Sequence, residues 1–172
     1  MWVRRNSFVL RALLYVGIVM QVICVCTDAD IRSGKCSPYY VSTKSNKVNS
    51  HVGPGSNYKI RYVYGVYGLP MKIIAKYDTW CKVVDPDGEE SWIHKSLLSS
   101  KRRVIISSSV NAPIHERSND SSAIVAYAKK NVVMKLIRVR GNWCEVDLTR
   151  DDIKIHGWIN RTSVYGVLDS EG

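Results

Sequence analysis

Covalent or metal chemistry in a chain of this size would rest on histidine, cysteine and carboxylate side chains. Here the first two are few and scattered: four histidines (His51, His94, His115, His156) and five cysteines among 172 residues. Thiol-dependent hydrolysis needs a Cys beside a His, and metal-dependent hydrolysis needs a ligand cluster that holds an activating ion. No cysteine spacing matches a zinc site or a paired redox motif. No histidine recurs at a matching place in both halves of the chain: His94 follows Trp92-Ile93, whereas His156 precedes Gly157-Trp158. Beyond the N-terminal region, Cys36 is the only thiol outside the strand-like stretches, and nothing marks it as activated. The expectation is of no catalytic residues, no metal, no cofactor and no enzymatic activity.

The aromatic residues carry more information. Thr79-Trp80-Cys81-Lys82-Val83 returns as Asn142-Trp143-Cys144-Glu145-Val146, an offset of 63 residues. Each copy is followed by a Trp-Ile pair, Trp92-Ile93 and Trp158-Ile159. Four of the five tryptophans therefore lie on a repeat too long for a solenoid unit, which implies two small domains in tandem. On a strand, Cys81 and Cys144 alternate in phase with Val83 and Val146, so each is expected inside its own domain, reduced and inert. Each preceding Trp should face outward. Tyr58, Tyr62, Tyr64, Tyr67 and Tyr77 crowd the first copy, against Tyr127 and Tyr165 in the second. Half-exposed aromatic rings offer flat apolar contact with a polar handle, suited to peptides and sugars. The candidate ligand-binding residues are Tyr58, Tyr64, Tyr77, Trp80 and Trp92.

The elements that must position these rings read as short strands. Tyr39-Tyr40-Val41, Val48–Val52, Ile60–Tyr64, Pro70–Tyr77 and Trp80–Val84 are rich in β-branched and aromatic residues. Gly53-Pro54-Gly55 enforces a turn, and Asp85-Pro86-Asp87-Gly88 closes a hairpin between Trp80–Val84 and Glu90–His94. Lys95–Leu98 makes one helical turn before a last strand, Val104-Ile105-Ile106, that would complete the first domain. In the second copy Val110-Asn111 echoes Val48-Asn49, and Met134–Ile137 echoes Met71–Ile74. The stretch from Pro113 to Ser122 replaces Gly-Pro-Gly as a diverged loop. Three extra residues within Leu148–Ile155 should lengthen the second hairpin turn and leave its strands unaltered. No long amphipathic helical period occurs. The fold expected is all-β, with two small closed barrels at 38–106 and 107–168, joined near Ser99–Arg103 by a short linker.

Residues 1–29 read as a targeting segment, with Arg4, Arg5 and Arg11 ahead of an apolar run from Ala12 to Cys26. Fifteen residues suit a signal-peptide core better than a bilayer span of about 20 residues. Cleavage after Ala29 or after Cys26 both fit, and an uncleaved anchor is the alternative. From Asp30 onward there are 22 basic and 14 acidic residues, a formal charge of +8. Such a surface favours acidic partners, or simply keeps an exported protein soluble. Export argues against nucleic acid.

The pattern Val48-Asn49-x-His51-Val52-Gly53-Pro54-Gly55-Ser56-x-Tyr58, then Trp80-x-x-Val83, Gly88-x-x-x-Trp92-Ile93-His94 and Leu97-Leu98, resembles the bacterial SH3-like domain. The second unit matches only through Trp143-Cys-x-Val146 and Gly157-Trp158-Ile159. The resemblance implies two tandem SH3-like barrels behind an export signal, in a periplasmic protein or one anchored to the inner membrane. It further implies a non-catalytic module that binds a cell-wall peptide or glycan, or an envelope protein. The alternative is a basic module for anionic lipid or acidic polymer, or a scaffold for an envelope complex. The proline-binding signature Ala-Leu-Tyr-Asp-Tyr of eukaryotic SH3 domains is missing, which argues against proline-rich ligands.

Overall fold

The computed structural model describes residues 37–150 and 152–172. The targeting segment and Cys36 lie outside the described residues. Among the described residues there are fourteen strands and two single turns of 3-10 helix, and no helix long and apolar enough to cross a membrane.

The strands form two seven-stranded sheets, each curled into an SH3-like barrel. The first contains β1 (Tyr39–Thr43), β2 (Val48–His51), β3 (Ile60–Tyr64), β4 (Pro70–Tyr77), β5 (Trp80–Val84), β6 (Glu90–His94) and β7 (Leu98–Ser99). The second contains β8 (Arg103–Ile106), β9 (Ala112–His115), β10 (Ile124–Ala128), β11 (Val133–Arg140), β12 (Trp143–Arg150), β13 (Ile153–Asn160) and β14 (Val164–Tyr165). The strand order is β3-β2-β6-β5-β4-β1-β7 in the first and β10-β9-β13-β12-β11-β8-β14 in the second, which is the same order shifted by seven. The β5–β6 hairpin has the expected bounds. Its turn is locked by Asp85, whose Oδ1 accepts from the Asp87 and Glu89 amides at 3.0 and 2.9 Å, while Gly88 takes φ +87°.

Cys81 and Cys144 are buried and unbridged in separate cores, as their phase predicts. Burial pushes both thiols up, Cys144 to about 11, so neither is an activated nucleophile.

Three sequence expectations are corrected. The strand at 104–106 does not close the first barrel. It belongs to β8, the first strand of the second sheet, pairing with β11 and β14. The repeat offset of 63 places it opposite β1, so the domain boundary lies before residue 103. The strand misleads because both its faces are buried: Val104 and Ile106 enter the second core, and Ile105, between them, enters the first. An unbroken apolar run carries no face signal. The extra residues of the second hairpin do not lengthen its turn either. They extend β12 and β13, which stay in register out to Arg150 opposite Ile153. Finally, β9 shows that Val48-Asn49 corresponds to Ala112-Pro113 and not to Val110-Asn111.

The barrels share more than β8. Val133 and Tyr165 also pack against the first core. The Tyr165 hydroxyl donates to the Val84 carbonyl at 2.8 Å, and its ring meets Tyr40 edge-on at 5.1 Å. Burial raises both tyrosines above their ordinary pKa.

Candidate aromatic face of the first barrel

Residues directly opposite on antiparallel strands project from the same face. Tyr77 pairs with Trp80, Trp80 with His94, Lys82 with Trp92 and Trp92 with His51. Side chains of β2, β4, β5 and β6 are therefore gathered on one outer face, while Cys81, Val83 and Ile93 point inward. Trp80 is its centre. The rings of His51 and His94 meet it edge-on, at 5.2 and 5.4 Å.

The two imidazoles are fixed in opposite tautomers. His51 Nδ1 lies 2.7 Å from the Tyr58 carbonyl oxygen. A carbonyl can only accept, so Nδ1 carries the proton and the neutral ring keeps an acceptor at Nε2. His94 Nδ1 instead accepts from the Ser96 amide at 3.3 Å, capping the 3-10 turn at 95–97, and the Ser96 hydroxyl, 2.7 Å away, then donates to the same nitrogen. Its neutral ring therefore carries the proton on Nε2. Neither Nε2 has a partner among the described residues, so the indole is flanked by one acceptor and one donor.

Tyr58 completes the arrangement through its carbonyl. Its half-exposed ring lies over the Gly-Pro-Gly turn, where a Cβ on Gly53 would come within 2.5 Å of it. Glycine is needed there for close approach. Tyr77 is exposed and Trp92 half-buried. Tyr64 lies elsewhere. It packs against the first core, its hydroxyl donates to Asp85 Oδ2 at 3.1 Å, and burial raises its pKa to about 12. Asp85 follows the far end of β5, about 16 Å along the strand from Trp80. Tyr64 braces the hairpin turn and borders a cleft of about 220 Å³ between the barrels, with Pro86, Ile105 and Asn131. Four of the five candidate residues are brought to one end of the barrel, and Tyr64 is not.

Sequence reasoning missed both histidines. His51 does have a counterpart: His115 meets Trp143 edge-on at 5.2 Å, and its Nδ1 lies 3.2 Å from the Ser122 carbonyl. The offset here is 64 instead of 63, which hides the match. The loop at 117–122 also keeps the turn bonds of the Gly-Pro-Gly loop. Asn119 N to Arg117 O repeats Gly55 N to Gly53 O, and Ser122 N to Asn119 O repeats Tyr58 N to Gly55 O. That loop has diverged in sequence and not in path.

The family model of the bacterial SH3 domain matches twice, at residues 44–100 and 108–166. The chain belongs to the bacterial SH3 domain family. No curated protein matches it. Among solved structures, NlpC2 from Trichomonas vaginalis is similar at 14% identity and a TM-score of 0.32, over 75% of this chain and 48% of that one. NlpC1 from the same organism is similar at 15% and 0.31, over 77% and 46%. The chain thus spans about half the length of these structures.

The two SH3 domains share a scaffold and differ in what they present. In the second, Asn160 stands where His94 does and caps its own 3-10 turn, accepting from Thr162 N at 3.0 Å. Arg140 replaces Tyr77, Ser122 replaces Tyr58, and His115 is buried. The charge beside the tryptophans is reversed. Lys82 pairs with Glu90 in the first SH3 domain, whereas the buried Glu145 pairs with Arg138 and with His156 in the second. Among the described residues, no group of three or more His, Cys, Asp or Glu is gathered to hold a metal.

Proposed function

We propose that this chain is a non-catalytic, exported binding protein of the bacterial cell envelope. Its first SH3 domain recognises a peptide-bearing component of the cell wall through the face centred on Trp80. The observation that carries this reading is the flanking of Trp80 by a free acceptor on His51 and a free donor on His94. An amide group offers the complementary donor and acceptor, and the indole supplies apolar contact. Tyr58, Tyr77 and Trp92 extend that contact. Two buried thiols with raised pKa support a binding role over a catalytic one, and the apolar run from Ala12 to Cys26 supports export.

The test is retention on purified wall fragments. His94→Asn is the sharpest variant, because Asn160 performs the same capping in the second domain and the fold should survive. It removes the Nε2 donor, and retention is expected to fall about fivefold for one lost hydrogen bond. Trp80→Ala should abolish retention and Trp143→Ala should leave it unchanged. Full retention by His94→Asn and Trp80→Ala together would refute the assignment.

A further inference from the structure

The junction between the barrels gathers four basic side chains. Lys101 and Arg102 lead into β8, whose first residue, Arg103, lies opposite Lys135 on β11. These four side chains and Leu136 line a single cleft of about 360 Å³, with no carboxylate among the lining residues. Arg102 alone is neutralised, by Glu171 at 3.1 Å. Asp147 sits opposite Lys135 in the ladder, yet Lys101, Arg103 and Lys135 form no ion pair among the described residues. Asp147 lines the adjoining cleft beside Arg103 and Lys135, so one carboxylate offsets the three cations only in part, and an anion would reduce the repulsion that remains.

The two arginines are held from behind. Arg102 Nη2 donates to the Gly166 carbonyl at 2.7 Å, and its guanidinium lies 5.8 Å from the Tyr40 ring centre. That of Arg103 rests over Tyr67 at 5.0 Å. Arg102 Nε is buried with no hydrogen-bond acceptor among the described residues. Native structures rarely leave such a donor orphaned, and where they do an ion or water commonly answers it. Guanidinium and ammonium groups at close quarters match the oxygens of a phosphate. Lys101 and Lys135 are exposed, while Arg102 and Arg103 are half-buried. A narrow chain can reach both pairs, whereas a flat bilayer surface meets only the outer lysines.

We propose that this cleft binds the phosphate groups of a linear acidic polymer, at a site separate from the aromatic face. The test titrates the full chain, at low salt, with inorganic polyphosphate, with orthophosphate and with vesicles of phosphatidylglycerol in phosphatidylcholine. Polyphosphate is expected to bind most tightly. Lys101→Glu/Lys135→Glu should weaken it about tenfold, since each reversal replaces a screened attraction by a repulsion. Lys47→Glu/Lys130→Glu changes net charge equally at exposed sites and should stay within about threefold. Trp80→Ala should bind polyphosphate as the wild type does, whatever its behaviour on wall fragments. Equal losses in the two double variants would overturn the proposal. So would orthophosphate binding as tightly as polyphosphate, or binding to vesicles without binding to polyphosphate.

Discussion

Ile105→Ala tests whether the two SH3 domains are separable. Ile105 belongs by pairing to the second sheet, yet its side chain is 5% exposed within the first core. The substitution removes three carbons, worth about 2.4 kcal/mol at about 0.8 kcal/mol each. The cavity left behind adds to this, giving a total of about 3 kcal/mol, inside the usual range for a buried Ile→Ala change. For a unit of this size the melting temperature should fall by roughly 10 °C. The decisive assay is native-state hydrogen exchange at the amides of Met71, Ile73 and Val83 on β4 and β5. If the first core depends on β8, their protection drops by about the same free energy. Unchanged protection there, with loss confined to β11 and β12, would refute the shared-core argument.

Tyr165→Phe should cost about 1 kcal/mol in urea unfolding, because it removes the hydroxyl's hydrogen bond to the Val84 carbonyl across the two barrels. Gly157→Ala should destabilise strongly in a thermal melt, since a Cβ would sit 2.6 Å from the His115 carbonyl oxygen. Tyr64, raised from 10 to about 12 by burial, favours its neutral form in the fold. Its contribution is complete below about pH 10 and is lost as pH climbs towards 12, so Tyr64→Phe should flatten the alkaline limb of the stability profile. Pulsed alkylation at pH 8 with peptide mapping should leave Cys81 and Cys144 unmodified until the chain unfolds, since burial raises both thiols.

The duplication was legible because Trp and Cys are uncommon and their spacing survived. The β5–β6 hairpin was legible because Asp-Pro-Asp-Gly states its turn chemistry locally. The cysteines could be placed because strand period alone decides which side they face. What failed depended on contacts between elements. Ile105 serves one barrel from a strand of the other, and no local pattern records that. His115 slipped out of register with His51 through one added residue ahead of β9, so comparison at a fixed offset overlooked the feature that most defines the aromatic face. Tyr64 looked like its neighbours in composition, and only its bond to Asp85 shows that it braces a turn.

The two-faced β8 also sets the order in which the molecule can be assembled. A tandem repeat leaving a ribosome or an export channel would ordinarily complete its N-terminal unit first. Here the leading barrel stays unfinished until Ile105, Val133 and finally Tyr165 have emerged. A product truncated after the first repeat would therefore leave uncovered the part of the first core against which Ile105, Val133 and Tyr165 pack.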